Sequence, residues 1–580
     1  MAWSPSSGAS TNSTASADLV PGPRDFETRK RVFGPMAALQ ILAMPWGIAV
    51  VCALPSNRRR TFVMFRNPWG RVPGADMSGN GQSQGGPDPN IRVMNSAQTI
   101  STLEPQACYP ALLARDARFD GRFFVGVTST GIYCRPICRV RTPKLANCRF
   151  FGTAAQAEAE AFRPCLKCRP ELAPGDGEAW TVMDASRILA RQAAALLDVG
   201  EEASVAEVAA RMGVSDRHLR RIFLAEHGVT PLQYLQTRRL LLAKQLLTDS
   251  TLPVAEIAFA AGFASLRRFN AAFLEHYRLQ PTALRKEGRG AERGSVLKLI
   301  YRAPYDVDGV LNFLLPRAVA GVERVDVANG LVERTVSLRH AGVWHRGWLS
   351  ARFAEPGRVE ITLSGSLWPA VGSLLPLLRR WLDLDADPDA IATALGESAT
   401  PGQRLPGCLD RFELAVRAVL GQQVTVAAAR TLGSRFVERF GEVIEGAPAG
   451  ATHTFPRPEV IADAPVERIA ELGIIRQRAE ALRALAKAWP TLAFAQASLL
   501  SRSAIDAALS ELQALPGIGP WTAYYMLMRD WSWPDAFPPG DVALKKALGG
   551  DLSPKAYLAA AEKYRPYRSY AVLHLWRTLV

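Results

Sequence analysis

The chain has 580 residues, more than one hydrophobic core usually supports, and typical domain sizes divide it into about three to five domains. Lys plus Arg number 69 against 54 Asp plus Glu, and the resulting +15 points to a polyanionic partner, either nucleic acid or an anionic membrane surface. Eight cysteines in this length are too sparse for a disulfide framework, which favours a reducing, cytoplasmic compartment.

Residues 35–54 are apolar, interrupted by Pro45, and flanked by Arg29, Lys30, Arg31 and by Arg58, Arg59, Arg60. The stretch barely reaches the roughly 20 residues of a membrane span and lacks the small-residue cleavage site of a signal peptide. Ser, Thr, Gly, Pro and Asn cluster on both sides of it, and Met77 and Met94 stand just before compact sequence begins. Residues 1–98 are therefore read as a disordered or over-extended start, with no function and no membrane association.

Next comes a small mixed domain, residues 99–173, with strand character at 123–127 and a short helix at 154–161. Cys134-x-x-x-Cys138 and Cys165-x-x-Cys168 are two close pairs separated by a loop, the arrangement by which four thiolates enclose one Zn²⁺ tetrahedrally. Spacing alone leaves two readings open, a structural ion or a reactive one. Arg135, Arg139, Arg141, Arg163, Lys167 and Arg169 crowd the ligands, which favours thiolate and a nearby phosphate. The phrases Gly131-Ile-Tyr-Cys134-Arg-Pro-Ile-Cys138-Arg-Val-Arg141 and Phe162-Arg-Pro-Cys165-Leu-Lys-Cys168 closely resemble the zinc domain of Ada-type methylphosphotriester repair proteins. The resemblance implies that Cys134 accepts a methyl group from an alkylated backbone phosphate, with Arg135, Arg139, Arg141 and Arg163 as DNA contacts. Methylation neutralises one thiolate, so repulsion from DNA is expected to fall.

Between residues 182 and 287 the sequence repeats at a spacing of 49, pairing Val205, Val208, Ala209 and Gly213 with Val254, Ile257, Ala258 and Gly262. Each unit reads as helix-turn-helix. The second, from Gly262 to Gln280-Pro281, resembles the AraC-type signature. Recognition helices are expected at 215–224 and 265–274, joined by a linking helix at 230–248, and they expose Arg217, Arg220, Arg221, Arg267 and Arg268 toward DNA.

Residues 296–385 change pattern, with strands at 296–301, 332–338 and 359–363 and a helix at 308–320. Tyr301-Arg-Ala-Pro-Tyr305-Asp306 and the run 311–319 resemble the N-terminal domain of AlkA-type glycosylases.

From 386 to 580 the chain reads as helical. Leu515-Pro-Gly517-Ile-Gly519-Pro-Trp521 is a tight turn whose bare amides suit a DNA phosphate, and Asp541 follows twenty residues after Trp521. With Gly421-Gln422-Gln423 and Arg404-Leu-Pro-Gly-Cys408, these residues resemble the helix-hairpin-helix glycosylase superfamily in its AlkA type, which removes 3-methyladenine and other alkylated bases. Asp541 is then the catalytic carboxylate. Trp521, Tyr525, Trp576, Gln422 and Gln423 line the base pocket, and Gly517 and Gly519 meet DNA. Plain alternatives are core packing for the aromatics and a helix N-cap for Asp541. Trp521 stands where bifunctional relatives carry a lysine nucleophile, which implies a monofunctional enzyme. Gln423 in place of an apolar wedge, with Gly540 and Val542 beside Asp541, departs from the family pattern and bears on substrate range.

The expected fold is multidomain α+β: a small four-cysteine zinc domain, an all-α double helix-turn-helix, an α+β glycosylase N-domain and an all-α helix-hairpin-helix domain. The expected function is DNA alkylation repair, coupling base excision and stoichiometric methyl transfer to regulation of transcription. The expected partners are double-stranded and alkylated DNA, with RNA polymerase as a further candidate. A rival reading is a damage-responsive activator whose zinc site or glycosylase domain serves DNA binding alone. A Pro-Cys-His-Arg methyltransferase site does not occur in the sequence, so repair of guanine oxygen is not expected.

Overall fold

The structure, a computed structural model, describes residues 39–44, 47–52, 104–175, 185–198, 204–287, 296–496, 502–550 and 552–579. It separates into two units, 1–94 and 95–580. In the first, β1 (Leu39–Met44) and β2 (Gly47–Cys52) form an antiparallel hairpin within the apolar stretch. The rest of the expected disordered start lies outside the described residues. Among the described residues, no helix is long and apolar enough to cross a membrane.

The second unit opens with α1 (Pro105–Ala114), β3 (Phe124–Val127), β4 (Ile132–Cys134), β5 (Cys148–Phe151), α2 (Ala154–Ala159) and β6 (Arg163–Pro164). The four strands order as β5-β3-β4-β6, with β6 parallel to β4. Seven helices follow: α3 (Ala185–Asp198), α4 (Val205–Arg211), α5 (Asp216–His227), α6 (Pro231–Asp249), α7 (Val254–Ala260), α8 (Leu266–Tyr277) and α9 (Pro281–Glu287). Capping boxes fix the starts of α4 (Ser204 with Glu207) and α6 (Thr230 with Gln233), which is why these helices begin where the sequence suggests. Left-handed Gly213 and Gly262 turn the chain between α4 and α5 and between α7 and α8.

An antiparallel sheet of order β7-β11-β10-β9-β8 comes next, from β7 (Val296–Ile300), β8 (Glu323–Asp326), β9 (Leu331–His340), β10 (Val343–Glu355) and β11 (Arg358–Leu363), with α10 (Val307–Leu314) after β7. The longest strand, β10, is absent from the sequence expectation.

The remainder is helical: α11 (Val371–Trp381), α12 (Pro388–Leu395), α13 (Arg411–Leu420), α14 (Val426–Phe440), α15 (Pro458–Asp463), α16 (Val466–Ala470), α17 (Arg476–Ala488), α18 (Ala493–Gln496), α19 (Arg502–Gln513), α20 (Pro520–Asp530), α21 (Val542–Ala547), α22 (Pro554–Glu562) and α23 (Arg568–Arg577).

The cores do not follow the expected domains. Leu240, Ala243, Leu246 and Leu247 of α6 and Phe269 and Phe273 of α8 share one apolar cluster with sheet residues Leu297, Leu299, Val359 and Ile361. A Cβ on Gly372 in α11 would lie 3.1 Å from the Ala260 carbonyl oxygen, so these backbones meet closely. Helix α6 also carries the zinc domain. Lys244 pairs with Glu171, both nearly fully buried, and Thr237 donates to Glu158 at 3.0 Å. Removing one partner of such a buried ion pair leaves an uncompensated charge, costing about 3–5 kcal/mol.

Candidate active site and metal centre

Gly519 is the N-cap of α20 and Asp541 the N-cap of α21, and the Trp521–Asp541 hydrogen bond brings the two helix starts together. The Oδ1 atom of Asp541 accepts from the Leu544 backbone N–H at 2.8 Å, the N-cap expected of an aspartate there. Its Oδ2 accepts from Trp521 Nε1 at 2.7 Å, and Oδ1 also accepts from Trp576 Nε1 at 3.4 Å. The carboxylate is buried and aimed by three N–H donors. The Trp521 ring stacks on Tyr525, centroids 5.2 Å apart and planes within 7°, and Tyr525 lies 6.4 Å from Trp576. The structure thus gathers Trp521 and Tyr525 of α20, Trp576 of α23 and Asp541 at the cap of α21, each ring partly exposed.

The two glutamines sit otherwise. Gln422 Nε2 donates to the Gly517 carbonyl at 2.8 Å and to Thr522 Oγ1 at 3.0 Å, while Arg478 donates to the Gln422 carbonyl at 2.7 Å. Its amide nitrogen braces the hairpin. Gln423 has φ of 54° and is exposed in the turn between α13 and α14. Gly517 and Gly519 lie exposed in the turn between α19 and α20. Gly517 needs its glycine from within, since φ is +74° and a Cβ would lie 2.8 Å from Ala481 Cβ. A Cβ on Gly519 meets no protein atom within 4 Å.

Residues that the sequence reading passed over stand behind Tyr525. Arg529 donates to the Tyr525 hydroxyl at 2.9 Å, and Arg317 also faces that oxygen. Burial opposes ionisation of this phenol, yet Arg529, Arg317 and Arg417 together hold it below the usual tyrosine range. No motif marks these arginines, because they come from separate elements.

In the zinc domain Cys134 ends β4, the Cys165 N–H donates to the Tyr133 carbonyl at 3.0 Å, and Cys138 closes a turn on the Arg135 carbonyl. The four Sγ atoms lie within 4.8 Å of one another, with Cys134, Cys138 and Cys165 buried. The Arg135 backbone N–H points at Cys168 Sγ from 3.4 Å, as suits a thiolate. Four convergent soft donors in this spacing fit one tetrahedral Zn²⁺.

Arg135 corrects the sequence reading. Only 3% exposed, it pairs with Asp120 and donates to the Cys168 carbonyl, so it builds the metal loop and is not available to DNA. Arg139 and Arg141 are exposed beside the site, while Arg163 is half-buried in a small cavity with Lys244 and Tyr277. Arg217, Arg220 and Arg221 on α5 and Arg267 and Arg268 on α8 are exposed, Arg220 pairing with Asp216 at 2.9 Å. Cys408 is not a spare acceptor: burial pushes its thiol well up, and it donates to Asp530 at 3.0 Å.

A four-cysteine centre, two helix-turn-helix units and a carboxylate behind a glycine hairpin define a multidomain DNA-repair protein of the helix-hairpin-helix class. Residues 107–171 match the metal binding domain of Ada, 208–287 a helix-turn-helix domain, 296–410 the AlkA N-terminal domain, and 416–556 the HhH-GPD superfamily of base excision DNA repair proteins. The chain is 38% identical over 495 residues to a probable bifunctional transcriptional activator/DNA repair enzyme AlkA of Mycobacterium tuberculosis, covering 82% of this chain and 96% of that one. It is 37% identical to DNA-3-methyladenine glycosylase 2 of Escherichia coli over 48% of this chain and 96% of that protein. It is 35% identical to the regulatory protein ada of Salmonella typhimurium over 27% of this chain and 42% of that protein. The chain belongs to the family of bifunctional AlkA-type transcriptional activator/DNA repair enzymes.

Proposed function

We propose that this chain excises alkylated bases from DNA as a monofunctional glycosylase, accepts methyl groups from phosphotriesters on Cys134, and regulates transcription through its paired helix-turn-helix units. The observation that carries the first part is the Asp541 carboxylate, aimed by two indole N–H groups and a helix start at an aromatic wall. A base rotated out of the duplex meets Trp521, Tyr525 and Trp576, whose faces hold flat, electron-poor rings. As the glycosidic bond lengthens, positive charge grows on the sugar, and the fixed carboxylate stabilises it without reorganising. Asp541 then orients water and takes its proton. With Trp521 in the place of a lysine nucleophile, the product is an abasic site on an uncut strand.

For the second part, the neutral methylphosphotriester is the methyl donor. The Cys134 sulfur attacks the methyl carbon, the C–O bond breaks with its electron pair staying on phosphate oxygen, and a diester anion and a thioether result. Zn²⁺ held by Cys134, Cys138, Cys165 and Cys168 supplies the charge that keeps the sulfur anionic at neutral pH. Exposed Arg139 and Arg141 are placed to hold the phosphate, Arg217, Arg220, Arg221, Arg267 and Arg268 to reach the operator, and Gly517 and Gly519 to meet the damaged strand. Contact with RNA polymerase follows from the regulatory role.

The test follows free 3-methyladenine and the mass of the Cys134 peptide after incubation of the full chain with methylated duplex. Both signals are expected, with base release at least about a hundredfold lower in Asp541→Asn. Release without methylation at Cys134 leaves the metal centre structural; methylation without release leaves a sensor carrying an inactive glycosylase fold.

A further inference from the structure

Asp383, Asp385, Asp387 and Asp389 alternate along the chain from the end of α11 into α12. The apolar residues between them join two cores: Leu384 belongs to the cluster shared by α6, α8 and the sheet, and Ala386 to that of the glycosylase helices. The carboxylates reach both ways. Asp383, left-handed with φ of 51°, accepts at Oδ2 from the Leu405 N–H and from the Tyr570 hydroxyl of α23, both at 2.8 Å. Asp385 accepts at Oδ1 from the N–H of Gly175, where the zinc domain ends, at 2.6 Å, and pairs with Arg379. Asp387 caps α12 by accepting from the Ala390 N–H at 3.4 Å, and it pairs with Arg122, which stands just before β3 of the zinc domain. A non-glycine residue with positive φ costs free energy and persists only where its partners hold it, as Leu405 and Tyr570 hold Asp383.

On the glycosylase side these contacts lead to the site. Tyr570 and Trp576 lie on one helix, α23, and Trp576 near its end gives Asp541 the 3.4 Å hydrogen bond. Tyr567, the N-cap of α23, stands in the field of the Arg122–Asp387 pair: burial and then Asp387 push its phenol up to about 12, while Arg122 pulls the other way. Helix α23 also packs on α12 and on α21, the helix that Asp541 caps. A short helix shifts as one rigid piece. At 3.4 Å the bond from Trp576 is already near the long limit, so a small tilt of α23 detaches the indole from the carboxylate.

We propose that Arg122 and Gly175 of the zinc domain are positioning residues for base excision, acting through Asp387 and Asp385 on the placement of α23 and so of Trp576 against Asp541. The inference rests on the base excision proposed above. Neither residue touches the damaged base; each fixes one side of the aspartate segment whose other side holds Tyr570. Excision then depends on whether the zinc domain is docked, and an event that draws it from this segment slows base release.

The full chain carrying Arg122→Glu, which sets an anion against Asp387, tests this in single-turnover release of 3-methyladenine. The rate is expected to fall about fivefold, the loss of one hydrogen bond at the site, with the Kd for the damaged duplex unchanged. Arg122→Lys keeps the charge and is expected to retain the rate. Amide hydrogen exchange across 568–577 is expected to quicken in Arg122→Glu and not in Arg122→Lys. Gly175→Val serves as the second variant should R122E not fold, since a Cβ there would lie 2.8 Å from Asp385 Oδ1, and it is expected to show the same slowing and the same exchange. An unchanged rate, a rate and affinity that weaken together, a loss that lysine does not prevent, or unaltered exchange in α23 overturns the proposal and leaves these contacts as packing. If the wild-type chain releases no base and Asp541→Asn behaves identically, the excision reading falls and this one with it; base release that neither variant slows overturns this one alone.

Discussion

Asp541 shows how one side chain meets two demands. As an N-cap it satisfies an amide that would otherwise be orphaned; as a carboxylate held by Trp521 and Trp576 it faces the aromatic wall. The roles separate experimentally. Trp521→Phe keeps an aromatic face on Tyr525 but removes the 2.7 Å hydrogen bond to Oδ2. Excision is expected to slow by roughly tenfold, with the melting temperature little changed, in single-turnover and thermal unfolding measurements. Asp541, Trp521 and Tyr525 stand in or beside a glycine turn and a short motif, which marks them in the sequence; Trp576 lies outside both, and the fold brings its ring to the same carboxylate. The role of Arg135 was not legible there. Whether an arginine points at DNA or inward depends on its partner, here Asp120 in another part of the domain, and nothing beside Arg135 announces that pairing.

At the level of the element, the hairpin joining α19 and α20 uses its two glycines differently. Gly517 is required by backbone conformation and by Ala481, so Gly517→Ala is expected to destabilise the chain by about 1 kcal/mol or more in denaturant unfolding. Gly519 is open to an added methyl from the protein side, so Gly519→Ala is expected to leave stability intact and weaken binding to damaged duplex in a titration. The dock between α2 and α6 has its own signature. Burial pushes the Glu158 carboxyl up to about 7, against the pull of its bonds from Thr237 and Tyr133 and the charge of Lys244. The unfolded chain releases that proton near the ordinary glutamate value, so this carboxyl's contribution is fully present at low pH and is lost as pH rises through about 7. Glu158→Gln is expected to flatten that part of the stability-against-pH curve. Helices α5, α6 and α8 were legible from their repeat and caps. Strand β10 was hidden because Trp344-His-Arg-Gly-Trp348 has neither a β-branched run nor clean alternation, and its pairing with β9 and β11 supplies what local propensity lacks.

Across the whole second unit, the four matched families occupy the order that their motifs suggest, yet the packing runs across their boundaries. The linking helix α6 is buried against β7 on one side and holds the zinc domain through Lys244 and Thr237 on another. A leucine-rich helix announces that it is buried, but not by what, and so the shared core could not be read from the residues. Arg122 pairing with Asp387, and Asp385 accepting from the Gly175 N–H at 2.6 Å, tie the zinc domain to the glycosylase half as well. A chain ending after α9 exposes the apolar faces of α6 and α8 that Leu297, Leu299, Val359 and Ile361 cover. It is expected to melt well below the full chain and to aggregate, measured by thermal unfolding with light scattering.

That shared core sets an order of assembly during synthesis. The zinc domain and the first helix-turn-helix emerge from the ribosome early, but α6 and α8 stay uncovered until the sheet through β11 has followed. A chain broken between the two halves is therefore expected to leave the second helix-turn-helix without the sheet that covers it, so that the DNA-reading half depends on the repair half for its packing.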